Sequence, residues 1–312
     1  MELKDINLLI TGGCGFIGSN FSNFFYNKVN KLVIIDKLNY SGNLNNIIDI
    51  INCNNVYFIK EDINECDLSS IYDIYNINYI IHLAGETHVD NSFIEIDDFI
   101  NNNILATNKI LESLKTKKIP MIHFSTDEVY GDTLDYNKFT EESLFNPTNP
   151  YAATKASAEL LINSYIKSFN INVIIVRCNN VYGKYQNIEK VIPKFIYNAI
   201  NNEPLNLHGD GNNIRDFLYI DDLIDAILLL ISNGKYSEIY NIGVDNPLTI
   251  KELANIIIRK TNSNSLIKYV ENRPYNDKRY YINCDKITEL GWKPKNASAS
   301  SFIKNLDVLI SS

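Results

Sequence analysis

The feature that most restricts this chain is the run Thr11–Gly18, TGGCGFIG, set directly behind the short apolar stretch Ile6–Ile10. Gly12, Gly15 and Gly18 recur at every third position. That spacing lets a backbone turn tightly out of a strand, approach a pyrophosphate and pack the next helix on the sheet, with free helix N–H groups facing the anion. Glycines also mark ordinary turns, so the run alone is a weak sign. Asp36 strengthens it. A carboxylate about 20 residues further on, ending a second apolar strand, suits the adenosine ribose hydroxyls of NAD and repels the 2'-phosphate of NADP. Lys37 beside it partly offsets that repulsion. Asp62 and Ile63, behind a third strand, are placed to meet an adenine ring, and Asp62 fits a turn cap equally well.

The same rhythm continues along the first half. Ile6–Thr11, Lys31–Asp36, Val56–Ile59, Tyr79–Leu83, Met121–Ser125 and Asn172–Arg177 read as strands separated by segments of helical length. This predicts an α/β fold, a doubly wound parallel Rossmann sheet with helices on both faces, because right-handed crossovers lay each helix against the strands it joins. Ligands of such sheets bind beyond the strand carboxyl ends. At 312 residues the chain is long for a single layered core. Residues 1–177 are expected to form the NAD-binding unit. Beyond Arg177 the rhythm breaks at Gly209–Asn213, Asn233–Lys235 and Gly243–Pro247. A smaller, interleaved unit over 178–312 is expected there, with about 214–235 returning to the first. The two longest expected helices, Ser92–Leu114 and Pro150–Phe169, carry apolar residues on more than one face, which predicts a homodimer paired through them.

A formal net charge of −8 leaves no basic field, so nucleic acid is not an expected partner. Five cysteines without a C-x-x-C pair fit free thiols in a reducing compartment. The first apolar run is too short for a secretion signal or a membrane span, which predicts a cytoplasmic protein and no membrane contact. His82, His88 and His123 lack ligand spacing, and no metal is expected.

Catalytic chemistry points to Tyr151 and Lys155. Four residues apart on a helix, they share one face. The spacing alone is poor evidence, since chance predicts roughly 1.5 such pairs in a chain with this many Tyr and Lys. Only this pair occurs, at the start of a helix behind Pro150. STDEVYG, Ser125–Gly131, leaves the preceding strand with Thr126 first in line. A tyrosine base must bring its pKa from about 10 toward about 7, which takes roughly 4 kcal/mol of differential stabilisation. Lys155 and an oxidised nicotinamide both offer positive charge, and Thr126 is placed to bond the hydroxyl being oxidised.

These residues, with DKLNYSGN (Asp36–Asn43), AGETHVDNS (Ala84–Ser92), EKVIP (Glu189–Pro193) and GDGNNIRDFLYIDD (Gly209–Asp222), make the chain resemble the extended short-chain dehydrogenases/reductases. Within them it is similar to the nucleotide-diphosphate-glucose 4,6-dehydratases, along nearly its whole length. The resemblance implies further cofactor contacts at Phe16, Ile17, Lys37, Asn39, Ser41, Gly42, Leu83, Ala84, Gly85, Thr87 and Asn102, besides Tyr151 and Lys155 themselves. It implies a nucleotide-diphosphate sugar, UDP-glucose before dTDP-glucose, as substrate. Contacts to it are implied at Thr87, Thr126, Asn180, Lys190 and Val191, at Asn206, Leu207, His208 and Arg215, and at Asn246, Arg273, Asn276 and Tyr280. Related 4-epimerases and decarboxylases share the fold, but the acidic pair Asp127–Glu128 is the dehydratase feature. It implies Glu128 as base toward carbon 5 and a protonated Asp127 as acid toward the 6-hydroxyl, a split that neighbouring carboxyls favour. Gly85, Val181, His208 and Asn276 depart from the alanine, asparagine, tyrosine and histidine usual in the bacterial deoxythymidine-linked enzymes. A non-catalytic NAD-binding regulator is the reading from another class, and Thr126, Tyr151 and Lys155 together argue against it.

Overall fold

A computed structural model describes residues 2–133 and 137–311. Strands β1 (Asn7–Thr11), β2 (Lys31–Ile35), β3 (Val56–Ile59), β4 (Tyr79–His82), β5 (Met121–Thr126) and β6 (Val173–Cys178) lie within a residue of where the apolar runs predict them. All pair in parallel, in the order β6-β5-β4-β1-β2-β3. Side chains alternate across each strand, so one strand feeds two cores. Leu8 and Ile10 of β1 enter one and Leu9 the other, and Leu32 and Ile34 of β2 part from Val33 and Ile35 in the same way. Both faces are covered, which is the doubly wound arrangement. Chain order reverses between β1 and β4, and the crevice beyond their carboxyl ends is where such sheets take ligands.

A seventh parallel strand, Ile239–Ile242, adds to β6 with Ile239 beside Ile175. The turn signals around it hid it, since Asn233–Lys235 and Gly243–Pro247 leave only four strand residues between them. The helix Ile220–Asn233 sends Leu223, Ile227 and Leu230 into the first core. The remaining C-terminal elements are small. Asn180–Tyr182 pairs with Phe217–Tyr219, Leu205–His208 with Ile267–Val270, and Ile214–Arg215 with Leu248–Thr249. They share a separate core with helices Val191–Ile200, Ile250–Lys260 and Ala299–Ile310, built on Leu205, Leu207, Phe217, Leu253 and Phe302.

The helix expected over Ser92–Leu114 is corrected. Val89–Ser92 is a turn of its own, and the helix proper runs from Ile96 to Lys117 with a π-helical segment at Ile100–Leu105. The cause is at Asn102 and Asn103, adjacent residues that are both buried. Asn103 donates to the Glu86 carbonyl at 3.1 Å and to Thr154 Oγ1 at 2.9 Å, while Asn102 donates to Glu86 Oε1 at 3.0 Å. A regular α-helix turns about 100° between neighbours, and the wider π turn lets both amides face inward. The helix Pro150–Phe169 matches its expectation and starts on an Asn149 cap with Pro150 in the first turn.

Candidate active site

The loop after β1 is shaped by close approach. Gly12 has φ +70°, and a Cβ there would sit 2.8 Å from the Ala84 nitrogen at the end of β4. A Cβ on Gly18 would sit 2.1 Å from the Gly12 carbonyl, so the helix Phe16–Phe25 rests directly on the loop. Gly15 caps that helix without a side chain, leaving its first N–H groups toward a cavity of about 310 Å³. Asp36 borders the same cavity and is 7% exposed. Its oxygens accept from the backbone N–H of Cys14 at 2.9 Å and of Leu38 at 2.8 Å. Burial still pushes its carboxyl above the usual range. Lys37 turns away from Asp36, pairing with Asp62 Oδ2 at 3.1 Å and donating to Asn102 Oδ1 at 2.6 Å. Asp62 also caps its own turn, accepting from the Asn64 N–H at 2.9 Å.

Phe16, Ile17, Asn39, Ser41, Gly42, Ile63, Leu83, Ala84, Gly85 and Thr87 border the cavity with them. A Cβ on Gly85 would stand 2.6 Å from Asn103 Oδ1, the oxygen that accepts the Glu86 N–H at 2.8 Å. The departure from alanine at this position therefore goes with the inward-facing Asn103.

At the other end of the cavity β5 delivers Thr126, and one 3₁₀ turn, Asp127–Tyr130, carries both acids. Asp127 Oδ2 accepts from Asn179 Nδ2 at 2.9 Å, and Oδ1 faces the Thr126 hydroxyl at 3.3 Å. Burial, with the Glu128 charge adding to it, pushes Asp127 up to about 7. Glu128 Oε2 accepts from Asn149 Nδ2 at 2.9 Å and contacts the Tyr280 hydroxyl at 3.2 Å; burial raises its carboxyl too. Asn149 Oδ1 accepts the Ala152 N–H at 2.9 Å, so one amide both starts the catalytic helix and holds the neighbouring acid.

Tyr151 and Lys155 face the cavity from that helix. Burial lowers Lys155 to about 8, leaving it mostly protonated near neutral pH. Burial, and behind it the Glu128 charge, raises the Tyr151 phenol well above its ordinary value, against a bond from Thr126 that lowers it. The turn beneath is braced by Ser125, which donates to Glu159, itself bridged by Arg177 at 2.7 Å in a fully buried pair.

Substrate candidates separate into three sets. Thr87, Thr126, Asn180, Lys190 and Val191 border the cavity. Arg215 and Tyr280 stand just behind it, the guanidinium 4.8 Å over the tyrosine ring. The rest do not border it. Asn206 is exposed, and the Leu207 side chain lies in the small core because alternation along its strand points it there. His208 Nδ1 is 3.1 Å from the Glu271 carbonyl, and Asn276 donates to Asn272 at 2.9 Å. The Asn246 amide is spent on both backbone groups of Phe217, at 2.8 and 3.0 Å. Arg273 pairs with Asp90 at 2.6 Å. Sequence reading missed Asn149, Asn179 and Glu86. Only Asn149 carries a signal, as an amide before proline at a helix start. Among the described residues no His, Cys, Asp and Glu cluster is arranged to hold a metal, and no helix is long and apolar enough to cross a membrane.

A seven-stranded parallel sheet with a glycine loop at its first strand and a Thr126, Tyr151 and Lys155 group at its mouth defines a dinucleotide-dependent enzyme of the short-chain dehydrogenase/reductase type. The family model for GDP-mannose 4,6 dehydratase matches residues 9–304, and the chain belongs to that family. It is 40% identical to a dTDP-D-glucose 4,6-dehydratase of Dictyostelium discoideum, over 92% of this chain and 77% of that one. A trifunctional UDP-glucose 4,6-dehydratase/epimerase/reductase of Arabidopsis thaliana is 43% identical over 93% of this chain, which spans only 45% of that protein. The dTDP-glucose 4,6-dehydratase of Bacillus anthracis, solved in complex with NAD, superposes with a TM-score of 0.88 at 36% identity, covering 98% of this chain and 96% of that one.

Proposed function

We propose that this protein is an NAD-dependent nucleotide-diphosphate-glucose 4,6-dehydratase, converting UDP-glucose or dTDP-glucose to its 4-keto-6-deoxy sugar. The observation that carries this is the pair Asp127–Glu128, one buried and one half-buried carboxyl on one turn facing the same cavity as Tyr151. Oxidation at carbon 4 alone has no use for an acid and a second base; loss of water across carbons 5 and 6 needs both. The cofactor residues fit NAD. The first N–H groups of the Phe16 helix are free for a pyrophosphate, Asp36 lies at the ribose end, and Lys37 is already held by Asp62 and Asn102 rather than free for a 2'-phosphate. Bound NAD supplies the reversible two-electron oxidation at carbon 4, the matching reduction at carbon 6, and positive charge beside Tyr151.

In this reading Tyr151 takes the 4-hydroxyl proton as its phenolate, with Thr126 bonding the same oxygen. Burial raises the phenol rather than lowering it as the sequence led one to expect, so the charges of Lys155 and of bound NAD would have to bring it down. The ketone formed at carbon 4 acidifies the proton on carbon 5, and Glu128 takes it and gives it back to carbon 5 as carbon 6 is reduced. Asp127, which burial raises to about 7 so that a substantial fraction is protonated at neutral pH, gives its proton to the departing 6-hydroxyl. Asn149 and Asn179 keep the two acids apart by anchoring each from a different element. Thr87, Asn180 and Lys190 line the path for the sugar and diphosphate, with Arg215 behind them, and the small core of Leu205, Leu207, Phe217, Leu253 and Phe302 marks the nucleotide-sugar side. UDP and dTDP differ by a methyl group worth only about 1–3 kcal/mol in a pocket, and UDP-glucose is the nucleotide sugar favoured here. A homodimer is supported by exposed Leu105 and Leu160 on the two neighbouring long helices, and a cytoplasmic setting by five unpaired cysteines.

The test is incubation with each nucleotide sugar without added reductant, followed by product mass. Loss of one water is expected, and the faster substrate names the nucleotide. Inversion at carbon 4 without mass change would replace this reading with an epimerase, and no change with NAD retained would leave a binding protein. Sedimentation of a single monomeric species at working concentration would remove the dimer.

A further inference from the structure

Behind Glu128 lies a second carboxyl with no part in the steps above. Asp277 is 3% exposed; its Oδ1 accepts from the Thr148 hydroxyl at 2.7 Å and its Oδ2 from the Tyr280 hydroxyl. Tyr280, also buried, stands between Asp277 and Glu128, and its hydroxyl oxygen is 3.2 Å from Glu128 Oε2. A phenol carries one hydrogen and cannot give it to two carboxyls at once. The contact with Asp277 is much the shorter of the two, and Glu128 Oε2 is already served by Asn149 Nδ2 at 2.9 Å. The hydrogen therefore belongs to Asp277, and the Tyr280 oxygen turns a lone pair toward Glu128.

We propose that Asp277 is a positioning residue for Glu128: by fixing the Tyr280 hydrogen on itself, it leaves the Tyr280 oxygen to accept the proton that Glu128 gains during the reaction. This rests on the reading of Glu128 as the carbon 5 base. A protonated Glu128 then has an O–H partner, whereas an ionised one gains nothing from Tyr280, and the arrangement favours proton uptake. Other charged or titratable groups face Glu128: Asp127 on its own turn, Tyr151 on the catalytic helix, Lys190 at a helix start, and Arg215, which covers the Tyr280 ring and donates to the Asp277 carbonyl at 3.0 Å. Arg215 and Lys190 oppose the effect, since both favour the ionised carboxylate, while the Asp277 charge itself adds to it through space.

The experiment is an infrared titration of the carboxyl band that disappears in Glu128→Gln, run beside the pH profile of carbon 5 proton exchange in deuterated water. In Asp277→Asn the released phenol can donate to Glu128, and the band midpoint and the acidic limb are both expected to move down by about one pH unit. Tyr280→Phe is expected to lower the midpoint as well, and Asp277→Asn added to it is expected to move it by less than Asp277→Asn does alone, the remainder being the Asp277 charge acting through space. A shift in that double variant as large as in Asp277→Asn alone would mean Asp277 acts only by charge through space, and would overturn the relay. So would an unmoved midpoint in Asp277→Asn while Glu128→Gln is inert. Wild-type exchange in Glu128→Gln would instead sink the base assignment, and the relay with it. Should Asp277→Asn fail to fold, the Tyr280→Phe midpoint decides alone.

Discussion

Gly12, Asp36, Ala84 and Thr126 lie at or just past the carboxyl ends of four strands in one continuous sheet, whereas Arg215 comes from a two-stranded piece and Asn246, Arg273 and Tyr280 from loops. The first wall of the cavity is positioned by backbone: its close contacts are of glycine on backbone and of carboxylate on N–H. The second stands back from the cavity, with Arg215 and Tyr280 just behind it and Asn246 and Arg273 off it, and is positioned by side chains that reach for one another, such as Arg273 for Asp90 and Arg279 for Asp216 at 3.2 Å. The first set is thereby held more rigidly than the second.

Breaking the rigid wall should cost most. Tyr151→Phe is expected to lower turnover by about 10²–10⁴-fold while NAD stays bound, checked by single-turnover oxidation against cofactor content. A loss of NAD would mean the phenol holds the cofactor rather than the proton. Next, Gly12→Ala forces a left-handed residue against the Ala84 nitrogen and should destabilise the fold by roughly 2–4 kcal/mol, seen as a lower Tm and lost NAD. An unchanged Tm would show that the loop has room the geometry denies.

Asp127 gives a pH-dependent effect of similar or smaller size. Its carboxyl is raised to about 7 in the folded protein from an ordinary value near 4. Its stabilising contribution is therefore full below pH about 4 and lost as pH rises through about 7. Asp127→Asn should remove that loss, so that the variant gains on the wild type by up to a few kcal/mol between those limits in denaturant titrations. A flat difference with pH would mean Asp127 is ionised when folded. The smallest effect belongs to the tied wall. Arg273→Ala breaks a partly exposed pair worth at most about 1 kcal/mol, and should change KM a few-fold with little change in kcat or Tm. A large drop in kcat would erase the distinction between the walls.

The rigid wall was also the legible one. Gly12, Gly15, Gly18 and Asp36 announce themselves because backbone geometry dictates residue type at fixed spacing, and Tyr151 with Lys155 follows from helix periodicity. Asp127 and Glu128 needed the family resemblance, as adjacent acids more often lie in a solvated turn. Leu207 and Asn246 were assigned to the substrate by position, but strand alternation points one into a core and backbone bonding occupies the other. Asn179, Asp277 and the strand Ile239–Ile242 gave no local signal, because what defines them is a partner far away in the chain.

The π turn at Ile100–Leu105 leaves the long helix with one residue more than its length requires. Removing a single residue there would let the helix close into a regular spiral, shorter in sequence and sound in itself. The register of Asn102 and Asn103 would be lost, and with it the amides that hold Glu86 and, through Asn102, Lys37. A deletion that a surface helix would absorb unnoticed thus becomes a way to uncouple folding from cofactor recognition in this protein.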